Sequence, residues 1–562
     1  MKKLPIGLSD FKRIIDDDYY YVDKSLFIKD IIDNGSNVML LLRPRRFGKT
    51  LNLSMLKYFF EKTHEDTSYL FRNLLIWSEP EKYRDSQGKY PVIFLTFKDV
   101  KNDTWEEALI KIKKVINDEY TRHSNLLSSN ILKDNEKDYF NQILNYKASN
   151  SFFEEALKNL SSYLERFHGK KAIILIDEYD APILCGYMNG YYSEVINFMR
   201  NLLSGGFKDN SSLEKGVMTG ILRVAKESIF SGLNNLEVCT LLNKKYDIYF
   251  GLLENEIEDL LEFYGIECEV EEVKKWYNGY TFGESTVYNP WSIINYTDKW
   301  EDGLLPYWVN TSSNDLIRKI ITTSGAEVKK DLEKLIKGEG IEKVVDDSIV
   351  FSDVEKSSDT IWSFLLFSGY LKITGKRLKE GLLNCTLAVP NKEVGYLYNN
   401  IVLGWFKQSI HNDKLDFMLK SLISGDIKTF SKIFREFVEK TFSYFDTSGK
   451  EAEKVYHAFV LGLMVNLQDS YEIRSNRESG YGRYDVMLIP RDFKQKGIVF
   501  EFKKIDKEDE KDLDAAAEAA LLQIEEKNYK QELVDRGVKS TVEIGAAFEG
   551  KNVLIKYREV SG

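Results

Sequence analysis

The run Val38-Met39-Leu40-Leu41-Leu42 is apolar without interruption, turns through the basic loop Arg43 to Phe47, and resumes as Gly48-Lys49-Thr50 at the head of an amphipathic stretch, Leu51 to Phe60. Strand, loop and helix in that order commit this part of the chain to an α/β layer. A bound triphosphate needs inward-pointing backbone N–H groups, one cation on its β/γ oxygens and a hydroxyl for Mg²⁺. Gly48, Lys49 and Thr50 supply these parts, and the helix N-terminus adds a favourable dipole. The usual G-x-x-x-x-G-K-[ST] begins with glycine, whereas Arg43 stands at that position, so the first turn falls to Pro44 and its neighbours. A basic turn capping a helix would share the same tripeptide.

Further apolar segments extend the pattern: Val92 to Phe97, Ala172 to Ile176 and Gly216 to Ile221, with a helical stretch from about Thr104 to Tyr120. Strands alternating with helices predict a doubly wound α/β domain to about Gly251. Ile173-Ile174-Leu175-Ile176 ends in Asp177-Glu178, which places two carboxylates at a strand's C-terminal edge, where open α/β sheets bind ligands. Asp177 is expected in the Mg²⁺ shell and Glu178 as the base for the attacking water; the pair would equally cap a following helix. Thr219-Gly220 closes the fourth strand, and Arg223 just after it is read either as a γ-phosphate sensor or as an arginine in a surface turn.

Taken together, Arg43-Pro44-Arg45-Arg46-Phe47-Gly48-Lys49-Thr50, Leu175-Ile176-Asp177-Glu178-Tyr179-Asp180, Thr219-Gly220-Ile221 with Arg223, Phe230-Ser231-Gly232 and Asn234-Asn235 resemble the bacterial AAA-ATPase-like family. Trp276-Tyr277-Asn278-Gly279-Tyr280 and Tyr288-Asn289-Pro290-Trp291 resemble its downstream motifs, so the likeness spans about Leu4 to Trp291. It implies an ATPase binding ATP through Arg46, Phe47, Gly48, Lys49, Thr50 and Asp177, with Mg²⁺ on Thr50 and Asp177. An arginine-rich loop is the family's own, which accounts for Arg43.

Near the C-terminus, Glu501-Phe502-Lys503 puts an acid and a lysine on one face of a strand, because strand side chains alternate. Asp485 opens the preceding predicted strand, Tyr484 to Ile489, and a hairpin would return Glu501 (strand Gly497 to Phe502) beside it. Asp485 and Glu501 would then hold Mg²⁺ or Mn²⁺, and Lys503 would position water or stabilise charge at an attacked phosphodiester. A solvated hairpin is the bland alternative. Helices at Glu451 to Leu467 and Leu513 to Tyr529 and a strand at Val542 to Phe548 complete an α-β-β-α-β order; Gln523 and Lys527 share one face of the second helix. With Tyr456-His457 and Ser475 to Gly480, these motifs resemble the PD-(D/E)XK nuclease superfamily over about Lys450 to Leu554. That resemblance implies an α-β-β-β-α-β core with Asp485, Glu501 and Lys503 as active triad and Glu478 and Gln523 in support. His457, on an apolar helix, reads as a packed core residue.

The expected fold class is thus α/β: a P-loop NTPase domain with a parallel sheet flanked by helices at 1–251, a mostly helical region at 252–445 with one hairpin around Tyr370 to Val389, and a restriction-endonuclease-like α/β domain at 446–562. Four scattered cysteines without C-x-x-C spacing read as reduced thiols of a cytoplasmic protein. No span reaches eighteen uncharged apolar residues, so no membrane is expected. A net charge of −10 confines any nucleic-acid contact to a local patch. The leading expectation is an ATP-dependent, metal-dependent nuclease acting on nucleic acid, DNA foremost, with the ATPase gating the cutter. The rival is a nucleotide-driven switch that changes conformation or assembles as a homo-oligomer and only grips nucleic acid. An esterase ranks low, since no G-x-S-x-G occurs.

Overall fold

Apolar runs such as Val38 to Leu42 and Ala172 to Ile176, with aliphatic side chains on both faces, can be satisfied only inside a helix-covered parallel sheet. The computed structural model describes residues 1–561 except 224–234, 269, 310–325, 337, 348–357, 399–400, 402–411, 442–459, 461–462, 465–466, 468–469, 480–481, 506–511 and 550–551. In it β1 (Val38–Leu42), β2 (Val92–Thr96), β3 (Ala172–Asp177), β4 (Leu213–Gly220) and β5 (Leu236–Cys239) form one sheet in the order β2-β3-β4-β1-β5. Every pairing in it is parallel. Every residue of β1 and β3 is buried, so truncating one of their aliphatic side chains to alanine should cost roughly 2–5 kcal/mol. The order places the C-terminal ends of β3, β4 and β1 side by side, at the edge where the helix Lys49–Phe60 begins.

The region after this sheet is mostly helical, with helices at Glu254–Tyr264, Val270–Tyr277, Pro290–Asp298, Ala326–Ile336, Ser358–Phe367, Asn412–Ser424 and Ile427–Thr441. Two small antiparallel sheets interrupt it. One is the hairpin β6 (Tyr280–Phe282) with β7 (Ser285–Val287); the other joins β8 (Ile341–Val344), β9 (Lys372–Lys379) and β10 (Leu382–Ala388) in the order β8-β10-β9. The hairpin expected around Tyr370 to Val389 is β9 with β10. By internal packing the chain divides into two units, Met1–Ser324 with Gly338–Tyr396, and Gly325–Lys337 with Leu397–Gly562.

The second unit is built on β11 (Tyr471–Ser479), β12 (Gly482–Pro490), β13 (Gly497–Lys504), β14 (Ser540–Glu549) and β15 (Asn552–Ser561), adjacent in that order. All neighbours are antiparallel except β13 and β14, which are parallel because the helix Leu513–Glu526 crosses over between them. Alternation divides the strands cleanly. Val486, Leu488, Ile498, Phe500 and Phe502 pack with Phe430, Phe434 and Val438 of the helix Ile427–Thr441 on one face. Met487, Ile489 and Val499 pack with Leu521 and Ile524 on the other. Expected helix Glu451 to Leu467, with His457, lies largely outside the described residues. Among the described residues no helix is long and apolar enough to cross a membrane.

Candidate functional site: a phosphate loop and a carboxylate strand

Arg43 carries the turn out of β1, and its side chain is wholly buried. Its guanidinium donates to the carbonyls of Leu42 (2.8 Å) and Cys239 (3.1 Å) and lies over the rings of Phe250 and Phe282. Burial draws its pKa down to about 10. Arg43 is therefore a structural anchor tying β1 to β5, and this anchoring takes the place of a glycine turn. The loop ends at Gly48, whose φ of 84° is left-handed, a conformation that costs a side chain but not glycine. The twelve-residue helix Lys49–Phe60 starts there.

Lys49 is almost fully buried, and its Nζ donates to the carbonyls of Arg43 (3.0 Å) and Pro44 (2.9 Å), closing the loop into a ring. Burial pushes its pKa down, against the pull of Glu178, Asp177 and Asp180. Thr50 donates from Oγ1 to Oδ2 of Asp177 at 2.8 Å; Thr96 reaches the same oxygen at 3.2 Å, and Thr219 donates to Oδ1 at 2.8 Å. Three hydroxyls from three elements thus hold one buried carboxylate. Burial, with Glu178 nearby, raises the pKa of Asp177, while the Thr219 and Thr50 bonds lower it. Glu178 has a φ of 50° and its backbone N–H faces the Thr219 hydroxyl, so the carboxylate after β3 is turned out of the strand path. A non-glycine residue held there carries backbone strain of order 1–3 kcal/mol, which is concentrated at functional positions.

Asp180 fixes the end of β4 by accepting from the N–H groups of Ile221 (2.8 Å) and Leu222 (3.0 Å). Gly220 is required there, because a Cβ would come within 2.7 Å of the Tyr179 ring and 2.8 Å of Asp180 Oδ1. Arg223 pairs with Asp347 at 3.8 Å. Phe47 is buried against Tyr280 and Phe282, so it supports the loop from beneath. Arg46, at φ 69°, lays its guanidinium 4.0 Å from the centre of the Trp291 ring. Trp291 is held in turn by Nε1 donating to Tyr307 O and by its N–H on the Asn289 side chain. Beside it, Ser292 donates to the buried Glu393, which also accepts from Trp308 N–H. An apolar cleft of about 630 Å³ including its open mouth adjoins Gly48, walled by Leu4, Tyr20, Val22, Leu51, Tyr249 and Pro290. At its margin Lys24 donates to Ile248 O and to both carboxylate oxygens of Glu256.

In the second unit the β12–β13 register runs from Leu488↔Ile498 to Val486↔Phe500, and just beyond it Asp485 Oδ2 accepts from Phe502 N–H at 2.7 Å. That bond seats the carboxylate against the β13 backbone next to Glu501. Glu501 and Lys503, in alternation with Val499, face the helix Leu513–Glu526. There Gln523 Nε2 donates to Glu501 Oε1, Lys503 Nζ donates to Gln523 Oε1 at 2.6 Å, and Lys503 lies 3.4 Å from Glu501. Tyr529 closes the group through Gln523 at 3.1 Å; burial raises its pKa, with Glu501 and Asp485 adding to the rise. Glu478 stands on β11 across from Arg483, and Lys527 caps the helix, exposed to solvent. Among the described residues no cluster of three or more His, Cys, Asp or Glu forms. A divalent ion here would therefore draw on Asp485 and Glu501 and complete its shell with water or substrate oxygen, the habit of Mg²⁺.

Two contacts escape the sequence. Thr96 reaches Asp177 only because β2 neighbours β3, and Trp291 meets Arg46 through a pairing that no spacing encodes. The chain is 26% identical over 550 residues to an uncharacterized protein from the vnfD 5′ region of Azotobacter chroococcum mcd 1, covering 95% of this chain and 94% of that one. Residues 5–230 match the family described as predicted AAA-ATPase, AAA-ATPase-like, and residues 451–558 match the PD-(D/E)XK nuclease superfamily. The phosphate loop and the carboxylate strand therefore belong to two recognisable modules, an AAA-ATPase-like domain followed in the same chain by a PD-(D/E)XK nuclease superfamily domain.

Proposed function

We propose that this protein binds and hydrolyses ATP at the phosphate loop and cleaves phosphodiester bonds, those of DNA foremost, at the β12–β13 carboxylates, with the ATPase gating the cut. The observation that supports this reading is that one chain carries two carboxylate groups, Asp177 bonded to Thr50, and Asp485 bonded to the β13 backbone at Phe502 beside Glu501 and Lys503.

At the first site, backbone N–H groups at the start of the helix Lys49–Phe60 would take the phosphates, and Lys49 would exchange the Arg43 and Pro44 carbonyls for β/γ oxygens. Thr50 and Asp177 would hold Mg²⁺, which neutralises phosphate charge when bound. Glu178, turned out of β3, orients water and accepts its proton. Mg²⁺ or Mn²⁺ on Asp485 and Glu501 would supply Lewis-acid chemistry at the second site. Lys503, kept in place by Gln523, would stabilise charge at the attacked phosphorus.

Parallel ATPase and plasmid-cleavage assays on wild type, Lys49→Ala and Asp485→Ala test this. Asp485→Ala should lose cutting and keep ATP turnover, and Lys49→Ala should lose both. Cutting that survives Lys49→Ala would make the sites independent; cutting that survives Asp485→Ala would remove the nuclease assignment.

A further inference from the structure

The chain is acidic, with 78 Lys and Arg against 88 Asp and Glu. In its first unit Lys12, Lys29, Lys82, Lys244 and Lys274 each hold a carboxylate at 2.6 to 3.0 Å. Strand β9 departs from that pattern. It is an outer strand of its sheet, and its last six residues, Thr374 to Lys379, are all exposed. Lys376, Arg377 and Lys379 lie among them, and no carboxylate of the described residues forms an ion pair with any of the three. Glu284, the acid that Lys376 acts on electrostatically, is already paired with Lys244 at 2.6 Å. The turn to β10 is two residues long, Glu380 and Gly381, both at positive φ (52° and 79°), a tight shape that extends the strand twist and stiffens the tip. Leu378 and Leu382 flank that turn at 74% and 55% exposure.

Lysines on an outer strand do guard against edge-to-edge pairing. That role leaves the two leucines unexplained, since exposed apolar side chains at a strand edge invite the same pairing. Cations alternating with apolar tips on a twisted two-stranded ribbon suit duplex DNA, where basic side chains take phosphates and apolar ones press between base steps in the minor groove. Arg377 and Lys379 share a face about 6.6 Å apart, at about 3.3 Å per strand residue, a spacing that lets each take a separate phosphate of one strand.

We propose that the β9–β10 hairpin is a DNA-binding arm, with Arg377, Lys379 and Leu382 on one face of the ribbon and Lys376 and Leu378 on the other, the cations meeting backbone phosphates and the leucines at its tip entering the groove; this rests on the reading of the chain as a DNA-acting enzyme. The arm also has a route to the nucleotide. Strand β9 packs beside β6, and Tyr280 and Phe282 of β6 pack on Phe47 of the phosphate loop.

The test is fluorescence anisotropy of full-length protein with a short labelled duplex in EDTA, where no metal-dependent cutting occurs, across a salt series. Wild type should bind with a steep salt dependence. The variant K376Q/R377Q/K379Q should lose at least tenfold in affinity at low salt, and its slope of log K against log salt should fall by about 0.9 for each phosphate it no longer neutralises. L378S/L382S should bind more weakly with an unchanged slope. Unaltered basal ATP turnover in both variants would show an intact fold, and DNA should stimulate that turnover in wild type but not in the charge variant. If wild type binds and cuts DNA while the charge variant keeps its affinity and slope, the arm is disproved and the enzyme reading stands. Failure of wild type to bind or cut duplex DNA would overturn both. Binding of polyglutamate in place of DNA, or a change in oligomeric state on removing the charges, would assign the hairpin to a protein partner and overturn the arm.

Discussion

The two carboxylate sites are built from opposite kinds of partner. Asp177 is held by three neutral hydroxyls, from Thr50, Thr96 and Thr219, at the end of a strand buried along its whole length. Glu501 sits beside an internal cation, Lys503, and an amide, Gln523, at the point where β12 and β13 part. Hydroxyls orient a carboxylate without neutralising it, and burial raises the pKa of Asp177. Lys49 acts on it only electrostatically, without a hydrogen bond, so the rest of its charge is expected to be satisfied by a cation that arrives with the nucleotide. Lys503 already supplies part of the compensation at the second site, so a metal there should bind with or without ATP.

The largest effects should come from breaking the first arrangement. Asp177→Asn keeps the size and can still accept through its one amide oxygen, its NH₂ donating to a threonine hydroxyl on the other side, yet ATP turnover should fall by about 10²- to 10³-fold in a steady-state phosphate-release assay. A fall of less than tenfold would mean that the buried charge has no part in catalysis. At the second site Lys503→Ala should cut nuclease turnover by about a hundredfold at saturating Mn²⁺. Gln523→Ala should instead weaken apparent Mn²⁺ affinity by about tenfold, as loss of a ligand-orienting group does. Equal effects of the two substitutions on affinity would contradict separate roles for Lys503 in charge and Gln523 in orientation.

A buried acid outside both sites gives a calibration of what burial alone does. Glu393, with its pKa pushed up to about 7 by burial against the opposing bonds from Ser292, Trp308 and Val309, binds a proton more tightly folded than unfolded. Its stabilising contribution is therefore full below the ordinary glutamate value near 4.5 and is lost as pH rises toward 7. Glu393→Gln should remove that loss and stabilise the protein by about 3 kcal/mol at pH 8, seen as a higher denaturant midpoint than wild type. No gain at pH 8 would show that the carboxyl is not held by burial. Smallest of all, Trp291→Ala should raise the KM for ATP about fivefold by releasing Arg46, while Trp291→Phe should largely restore it, since a ring face still attracts the guanidinium.

Much of this architecture is legible in the residues themselves, and the misses have physical causes. The apolar runs of β1, β2, β3 and β4 announce a parallel sheet, and the period of two in Glu501-Phe502-Lys503 correctly puts both polar groups on one face. Four-residue β5, by contrast, has too little pattern to be seen, although it pairs with β1 and carries the carbonyl that Arg43 grips. β11, Tyr471-Glu472-Ile473-Arg474-Ser475, reads as polar because it is an outer strand whose charges meet Glu532 and Arg536 in ion pairs. β15 escapes for a like reason, its Lys556 and Arg558 being matched by acids of the crossover helix. Arg43 reads as a missing glycine, and only the burial of its guanidinium explains why the loop closes without one. Strand order decides which hydroxyls reach Asp177, and no local pattern contains it.

Mn²⁺ binding followed by electron paramagnetic resonance, with and without ATP, on wild type, Asp177→Asn and Asp485→Asn reaches the difference between the sites most directly. Wild type should show one class of bound Mn²⁺ that appears only with ATP and is lost in Asp177→Asn, and a second that needs no ATP and is lost in Asp485→Asn. Bound Mn²⁺ left unchanged by either substitution, or abolished in both classes by one of them, would contradict the presence of two separate metal-binding carboxylate sites in this chain.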